Sequence, residues 1–179
     1  MKAYHFAALT ALMGLSFVAG AIATALARPR VESWYRNLSR PEKVAAPPAY
    51  GWGWGSIYVL MGAAAWLAWL SGPQWGVPWV RAGMILYFVM LGLNVAWSGL
   101  FYKMGRSGSA LAAVGLQWLA TLAAAIVFWN IWIVPGALLI PVLVWTGYIG
   151  LRTLGWWRHG RQFGPADGGT GVAGSRLAA

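Results

Sequence analysis

The sequence predicts an all-α integral membrane protein, a bundle of five transmembrane helices with a proline-rich first loop. Three observations carry that prediction. Of 179 residues, 60% are hydrophobic and 9% charged, with a mean hydropathy of +0.61, whereas an ordinary soluble domain carries roughly 25% charged residues. The few charges collect between long apolar runs, each close to the ~20 residues that cross a hydrocarbon core. Fourteen residues are Trp, a side chain that suits the membrane interface and also lines pockets for flat, apolar ligands.

The first span runs over about residues 4–27. Lys2 ahead of it and Ala25-Leu26-Ala27 at its end imitate a signal peptide, but an apolar stretch of about 23 residues exceeds a usual h-region, so a retained helix is expected. Residues 28–50, with Pro29, Pro41, Pro47, Pro48 and several charges, read as the one long connection. The second span covers about 53–71 and stops at Gly72-Pro73. The third covers about 79–102 and closes on Lys103-Met104-Gly105-Arg106, the fourth about 107–132, and the fifth about 135–157 from Pro135. Residues 1–158 thus form a single membrane domain, and the Gly-rich polar stretch 159–179 reads as a disordered tail.

The net charge of +10 does not point to nucleic acid, because the cations flank apolar spans and form no continuous patch for phosphates. Eleven of the Lys and Arg residues fall on the side of the first loop, the third loop and the C-terminal tail, against Lys2 and Arg81 on the other. That bias places the N-terminus outside and the C-terminus in the cytoplasm, in what reads as a bacterial inner membrane. The lipid bilayer and its anionic headgroups are the first partners implied.

Catalytic groups are scarce. The acids are Glu32, Glu42 and Asp167, the histidines His5 and His159, and Cys is absent. No pair of these suits acid–base work, and no set suits a metal site, so no catalytic or metal-ligating residue is assigned and a non-enzyme is expected. His5 alone is a conceivable axial ligand to a tetrapyrrole metal, yet a lone His at a helix end is more often interfacial. What the spans offer is aromatic: Trp54, Tyr58, Trp66 and Trp69 on the second, Trp97 on the third, Trp118 and Trp129 on the fourth, Trp145 and Tyr148 on the fifth. Trp52, Trp75, Trp79, Trp132, Trp156 and Trp157 lie near span ends and suit interface belts. Trp97 and Trp145 lie deeper, and Asn94, one turn before Trp97, needs a hydrogen-bond partner from another helix or a ligand.

These residues resemble a known family. Trp34-Tyr35-x-x-Leu38-x-Arg40-Pro41, then Pro47-Pro48, Trp54, Tyr58 and Met61-Gly62, are similar to the signature of the translocator proteins, or tryptophan-rich sensory proteins (TspO/MBR). Leu93-Asn94-x-x-Trp97-x-x-x-Phe101 and Pro141-x-x-x-Trp145 resemble two further segments of that pattern in the right order. Departures accompany the match. Lys43 stands where the family carries Trp, Met90 where it carries Gln, Ser109 in place of a Trp, Ile140 and Val142 in place of two Tyr, and Thr153 in place of Asn.

The resemblance implies a membrane sensory protein linked to pigment or tetrapyrrole metabolism that binds tetrapyrroles, or sterols and other flat apolar ligands, with no covalent cofactor but with porphyrin, bacteriochlorophyll or carotenoid as candidate bound pigments. Trp54, Tyr58, Asn94, Trp97, Trp145 and Tyr148 would face the ligand, and Arg36, Arg40 and Lys43 would pair with propionates or lipid headgroups. Val144-x-x-x-Tyr148-x-x-x-Arg152 fits the loose sterol-recognition pattern, which Arg152 snorkelling to the headgroups explains equally well. Three rival readings follow from the family: a structural or regulatory subunit of a larger pigment–protein complex, a photochemical porphyrin-degrading activity, and transport, which no charged pathway in the spans supports. The small-residue stripes Gly92-x-x-x-Ala96 and Ala19-x-x-x-Ala23-x-x-x-Ala27 permit close helix contact, and the resemblance implies a homodimer.

Overall fold

The computed structural model describes residues 3–36, 47–71 and 77–158. They form α1 (Ala3–Arg36), α2 (Pro47–Leu70), α3 (Pro78–Ser98) continued by a π-helical turn (Gly99–Lys103), α4 (Ser107–Ile131), a short α5 (Ile133–Leu138) and α6 (Ile140–Arg158). Together they make five apolar stretches long enough to cross a membrane, α5 and α6 sharing the last. The expected all-helical membrane architecture is therefore present, and the expected tail at 159–179 lies outside the described residues.

The helix ends differ from the sequence expectation in three places. α1 continues past residue 27 to Arg36 with Pro29 inside it. Pro29 removes one donor, the one owed to Ala25, but the turn after it is held by Arg28, whose Nε donates to Glu32 Oε1 at 2.7 Å one turn later. α2 begins at Pro47 rather than near residue 53, because a proline in the first turn loses no hydrogen bond and its φ is already helical. The first connection is correspondingly shorter than the sequence suggested. The fifth span is broken at Leu139, whose N–H donates to Gly136 O at 3.1 Å, before the ladder resumes with Leu143 N–H on Leu139 O at 2.9 Å. Pro141 brings no N–H for Ala137 O, so an unbroken helix would lack a rung there.

The third span ends in a widened turn. Met104 N–H reaches Gly99 O and Arg106 N–H reaches Leu100 O, each at 2.9 Å. Gly105 adopts φ 67° to let the chain reverse, a left-handed conformation that glycine takes without a Cβ clash.

Around the bundle, α1 packs on α2 and α3, α3 runs antiparallel along α4, α4 carries α5 and α6, and α2 closes the ring against α5 and α6. Close approach is made by small side chains: Ala64, Ala65 and Ala68 on α2 and Ala110 and Ala124 on α4 are fully buried. Glycines admit aromatic rings. A Cβ on Gly83 would lie 2.3 Å from Phe128 Cε1, and one on Gly20 would lie 2.5 Å from the Tyr58 ring. Large apolar side chains such as Phe17, Ile22, Ile85, Leu116, Leu119, Val144 and Leu151 face outward, as they must where lipid is the solvent. Of the two small-residue stripes, Ala19 and Ala23 are buried within the bundle, whereas Gly92 and Ala96 face out.

Polar groups in the spans are tied inward. Tyr87 donates its hydroxyl proton to Leu12 O at 2.6 Å and lies 2.9 Å from Ser16 Oγ, joining α3 to α1. Thr121, Thr146 and Thr153 each donate to the carbonyl one turn back at 2.8 Å.

The Gly83–Phe128 contact yields a stability prediction. Gly83→Ala should cost about 1–3 kcal/mol by overpacking, read as a lower melting temperature in detergent. Adding Phe128→Leu in the same chain should recover part of that loss; an unchanged melting temperature for Gly83→Ala would contradict the packing described.

Candidate functional site

Trp54 on α2 is the hub of an aromatic cluster drawn from three helices. Its ring centroid lies 5.9 Å from Trp97 on α3, 5.8 Å from Trp145 on α6 at a near-perpendicular 88°, and 6.0 Å from Tyr58 one turn along. Such edge and offset contacts are the favoured aromatic geometries. Trp145 reaches this position because the neighbouring residue is Gly53; a Cβ there would come within 2.9 Å of the indole. Trp97 continues the cluster by stacking on Phe101 at 5.6 Å and 13°, and Phe101 meets Trp156 edge-on at 6.1 Å. The π-helical turn puts Phe101 and Tyr102 at the same end of the bundle, where Tyr102 meets the Trp97 ring at 5.6 Å and 80°.

Two hydrogen bonds set the polar geometry. Tyr58 donates to Asn94 Oδ1 at 2.6 Å, both residues being buried, and Trp97 Nε1–H donates to Thr153 Oγ1 at 3.3 Å. With its oxygen engaged by Tyr58, Asn94 presents Nδ2 elsewhere, and that nitrogen has no acceptor among the described residues; nor does Trp145 Nε1. An unsatisfied buried donor is unusual, because leaving one without a partner costs about 1–3 kcal/mol. Both nitrogens are buried beside aromatic rings, Trp145 Nε1 on the indole that meets Trp54 and Asn94 Nδ2 on the amide that Tyr58 holds.

Of the residues singled out in the sequence, Trp54, Tyr58, Asn94, Trp97 and Trp145 are thus brought together. Tyr148 is set apart: its ring packs on Trp145 at 6.1 Å but is 44% exposed on the outer surface. The sterol-like motif forms an outward stripe, with Val144 exposed and the Arg152 guanidinium 5.9 Å from the Tyr148 ring centroid. Arg36 is the last residue of α1, and Arg40 and Lys43 lie outside the described residues. Met90, in the position where the resembled family carries Gln, is packed in the apolar core. His5 is remote from the cluster, and its carbonyl accepts Trp66 Nε1–H at 3.1 Å. Among the described residues no three His, Asp or Glu gather to hold a metal ion.

Thr153, noted in the sequence only as standing in place of an Asn, anchors Trp97. Gln117 on α4, which the sequence reading passed over, is 1% exposed with no acceptor for Nε2 among the described residues. The signal for Gln117 is the one that marked Asn94, an amide inside an apolar span.

The TspO/MBR family model matches residues 8–158. The translocator protein homolog of Schizosaccharomyces pombe is 34% identical over 134 residues, covering 72% of this chain and 77% of that protein. The tryptophan-rich sensory protein of Cereibacter sphaeroides is 32% identical over 134 residues, covering 73% and 80%. The human translocator protein is 30% identical over 136 residues, covering 73% and 78%.

Tyr58→Phe should leave Asn94 Oδ1 without its donor and cost about 1–3 kcal/mol of stability. Paired with Asn94→Leu, the loss should fall short of the sum of the single changes by at least about 0.5 kcal/mol, the mark of residues in direct contact. Thermal unfolding of the four proteins measures it, and strict additivity would show that the bond contributes nothing.

Proposed function

Because the chain belongs to the TspO/MBR family, we propose that it is a membrane sensory protein that binds a flat, largely apolar ligand of the tetrapyrrole class among Trp54, Trp97 and Trp145. The observation that carries this reading is the convergence of three indoles from three helices around donors with no acceptor of their own, Asn94 Nδ2 and Trp145 Nε1. Rings of that kind hold a macrocycle by edge and face contacts, while the donors orient its polar substituents. Binding rather than catalysis is supported by the relatives' names, which describe translocator and sensory proteins.

The excess of Lys and Arg supports an orientation with the C-terminus in the cytoplasm of a bacterial inner membrane. Basic residues at that end, among them Arg36, Arg40 and Lys43, would then meet propionates or anionic headgroups. A homodimer through α3 is supported by the outward-facing Gly92 and Ala96, where a second backbone can approach closely. The outward stripe of Val144, Tyr148 and Arg152 supports lipid or sterol contact from the bilayer, separate from the internal cluster.

Titration with protoporphyrin, followed by quenching of tryptophan fluorescence, tests the reading. Saturable binding is expected, weakened by about 1–3 kcal/mol in Trp145→Ala. Absence of saturable quenching in the wild type would overturn the ligand class, and equal affinities in both proteins would remove Trp145 from the site. A reporter fused after Ala179 should read as cytoplasmic, and a periplasmic readout would reverse the orientation.

A further inference from the structure

The bundle contains a buried donor that the family resemblance does not supply. Gln117 is 1% exposed on α4, and its Nε2 has no acceptor among the described residues. Its level in the bundle follows from the antiparallel register of α3 and α4. Gly83 abuts Phe128 at one end, and Trp97 packs in one cluster with Ala113 and Val114 at the other. Counting between these contacts sets Gln117 across from Asn94. Helical side chains lean toward their own N-terminus, so the Gln117 amide leans toward the turn of Ala113 and Val114, which packs on Trp97. On the other flank, Gly150 approaches Val114 and Gly147 approaches the Trp118 indole. This sets the Trp145–Tyr148 turn of α6 near the same level.

Three N–H groups without acceptors, on Asn94, Gln117 and Trp145, therefore share one stratum of the bundle. No Asp or Glu lies within that part of the chain. Met90, at the family's Gln position, is packed in the core and brings no hydrogen-bonding amide. We propose that Gln117 supplies the missing amide from the neighbouring helix, and that it selects ligands carrying carbonyl or carboxylate acceptors over purely hydrocarbon-substituted macrocycles. The inference rests on the ligand-binding reading above and adds to it the residue and the chemistry that discriminate between ligands.

A specificity role and a structural role predict opposite effects on the empty protein. If Gln117 helps hold the fold, replacing it removes satisfied hydrogen bonds and destabilises the chain. If its N–H waits for a ligand, replacing it with an apolar side chain of similar length relieves an unmet donor and leaves the empty protein equally or more stable. The experiment uses Gln117→Met, with Gln117→Leu as a second variant, and two probes sharing one macrocycle: protoporphyrin, which bears carboxylates, and etioporphyrin, which bears only alkyl groups. Wild type should prefer protoporphyrin. Gln117→Met should weaken protoporphyrin about five- to tenfold, the worth of a hydrogen bond, leave etioporphyrin unchanged, and melt no lower than wild type without ligand. Equal losses for both probes, no loss for either, or failure of both variants to fold would overturn the proposal. If neither probe binds wild type, the ligand-binding reading itself fails; if both bind equally well and the variants change neither, only the role of Gln117 fails.

Discussion

Lipid offers no hydrogen-bond partner, so every polar group within the spans must be satisfied by the protein or by something the protein holds. That constraint orders this structure. Tyr87 turns to the Leu12 carbonyl, Thr121, Thr146 and Thr153 turn back on their own helices, and Tyr58 turns to Asn94. What remains among the described residues is His5 Nδ1 near the start of α1 and, deeper in the spans, the amide nitrogens of Asn94 and Gln117 and the indole N–H of Trp145, all without partners. In water such groups would go unremarked. In a bilayer an unmet donor is costly, and that cost is what supports the ligand-binding proposal.

The same site depends on what is missing from other positions. Helices meet in membranes through close packing rather than hydrophobic segregation, which favours small residues at their contacts. Gly53 gives up its side-chain volume to Trp145, Gly20 to Tyr58 and Gly83 to Phe128. The aromatic hub around Trp54 therefore rests on glycines in the first and second spans as much as on the tryptophans. The break at Leu139 contributes at a distance. It divides the last span into α5, seated on α4 through Gly136, and α6, which carries Trp145 to the cluster.

Much of this was legible in the sequence, for physical reasons that can be named. Apolar length and charge placement gave the five spans. Trp97 and Trp145 stood out as too deep for an interface belt and Asn94 as an amide inside a span, Trp54 and Tyr58 came in through the family resemblance, and the structure brings the five together. The helix ends were less legible, because Pro29 and Pro47 read as breakers in a one-dimensional scan. In the fold the first is bridged by Arg28 and Glu32, and the second sits where a missing N–H costs nothing. Tyr148, three residues beyond Trp145, stays in ring contact with it but sits at the outer edge of that helix face, where it is exposed. Gln117 carries the signal that marked Asn94, an amide inside an apolar span, but its level beside Asn94 emerges only from the register of two antiparallel helices.

The central claim is that the donors and rings around Trp54 form a ligand site in the membrane interior. The most direct measurement is the absorption spectrum of the protein gently purified from its native membranes, taken beside the Asn94→Leu and Trp145→Ala proteins prepared in the same way. The Soret band of a bound tetrapyrrole is expected in the wild type, with its loss or marked reduction in both variants. A wild-type spectrum with no pigment band, or a band of equal strength in all three proteins, would contradict it.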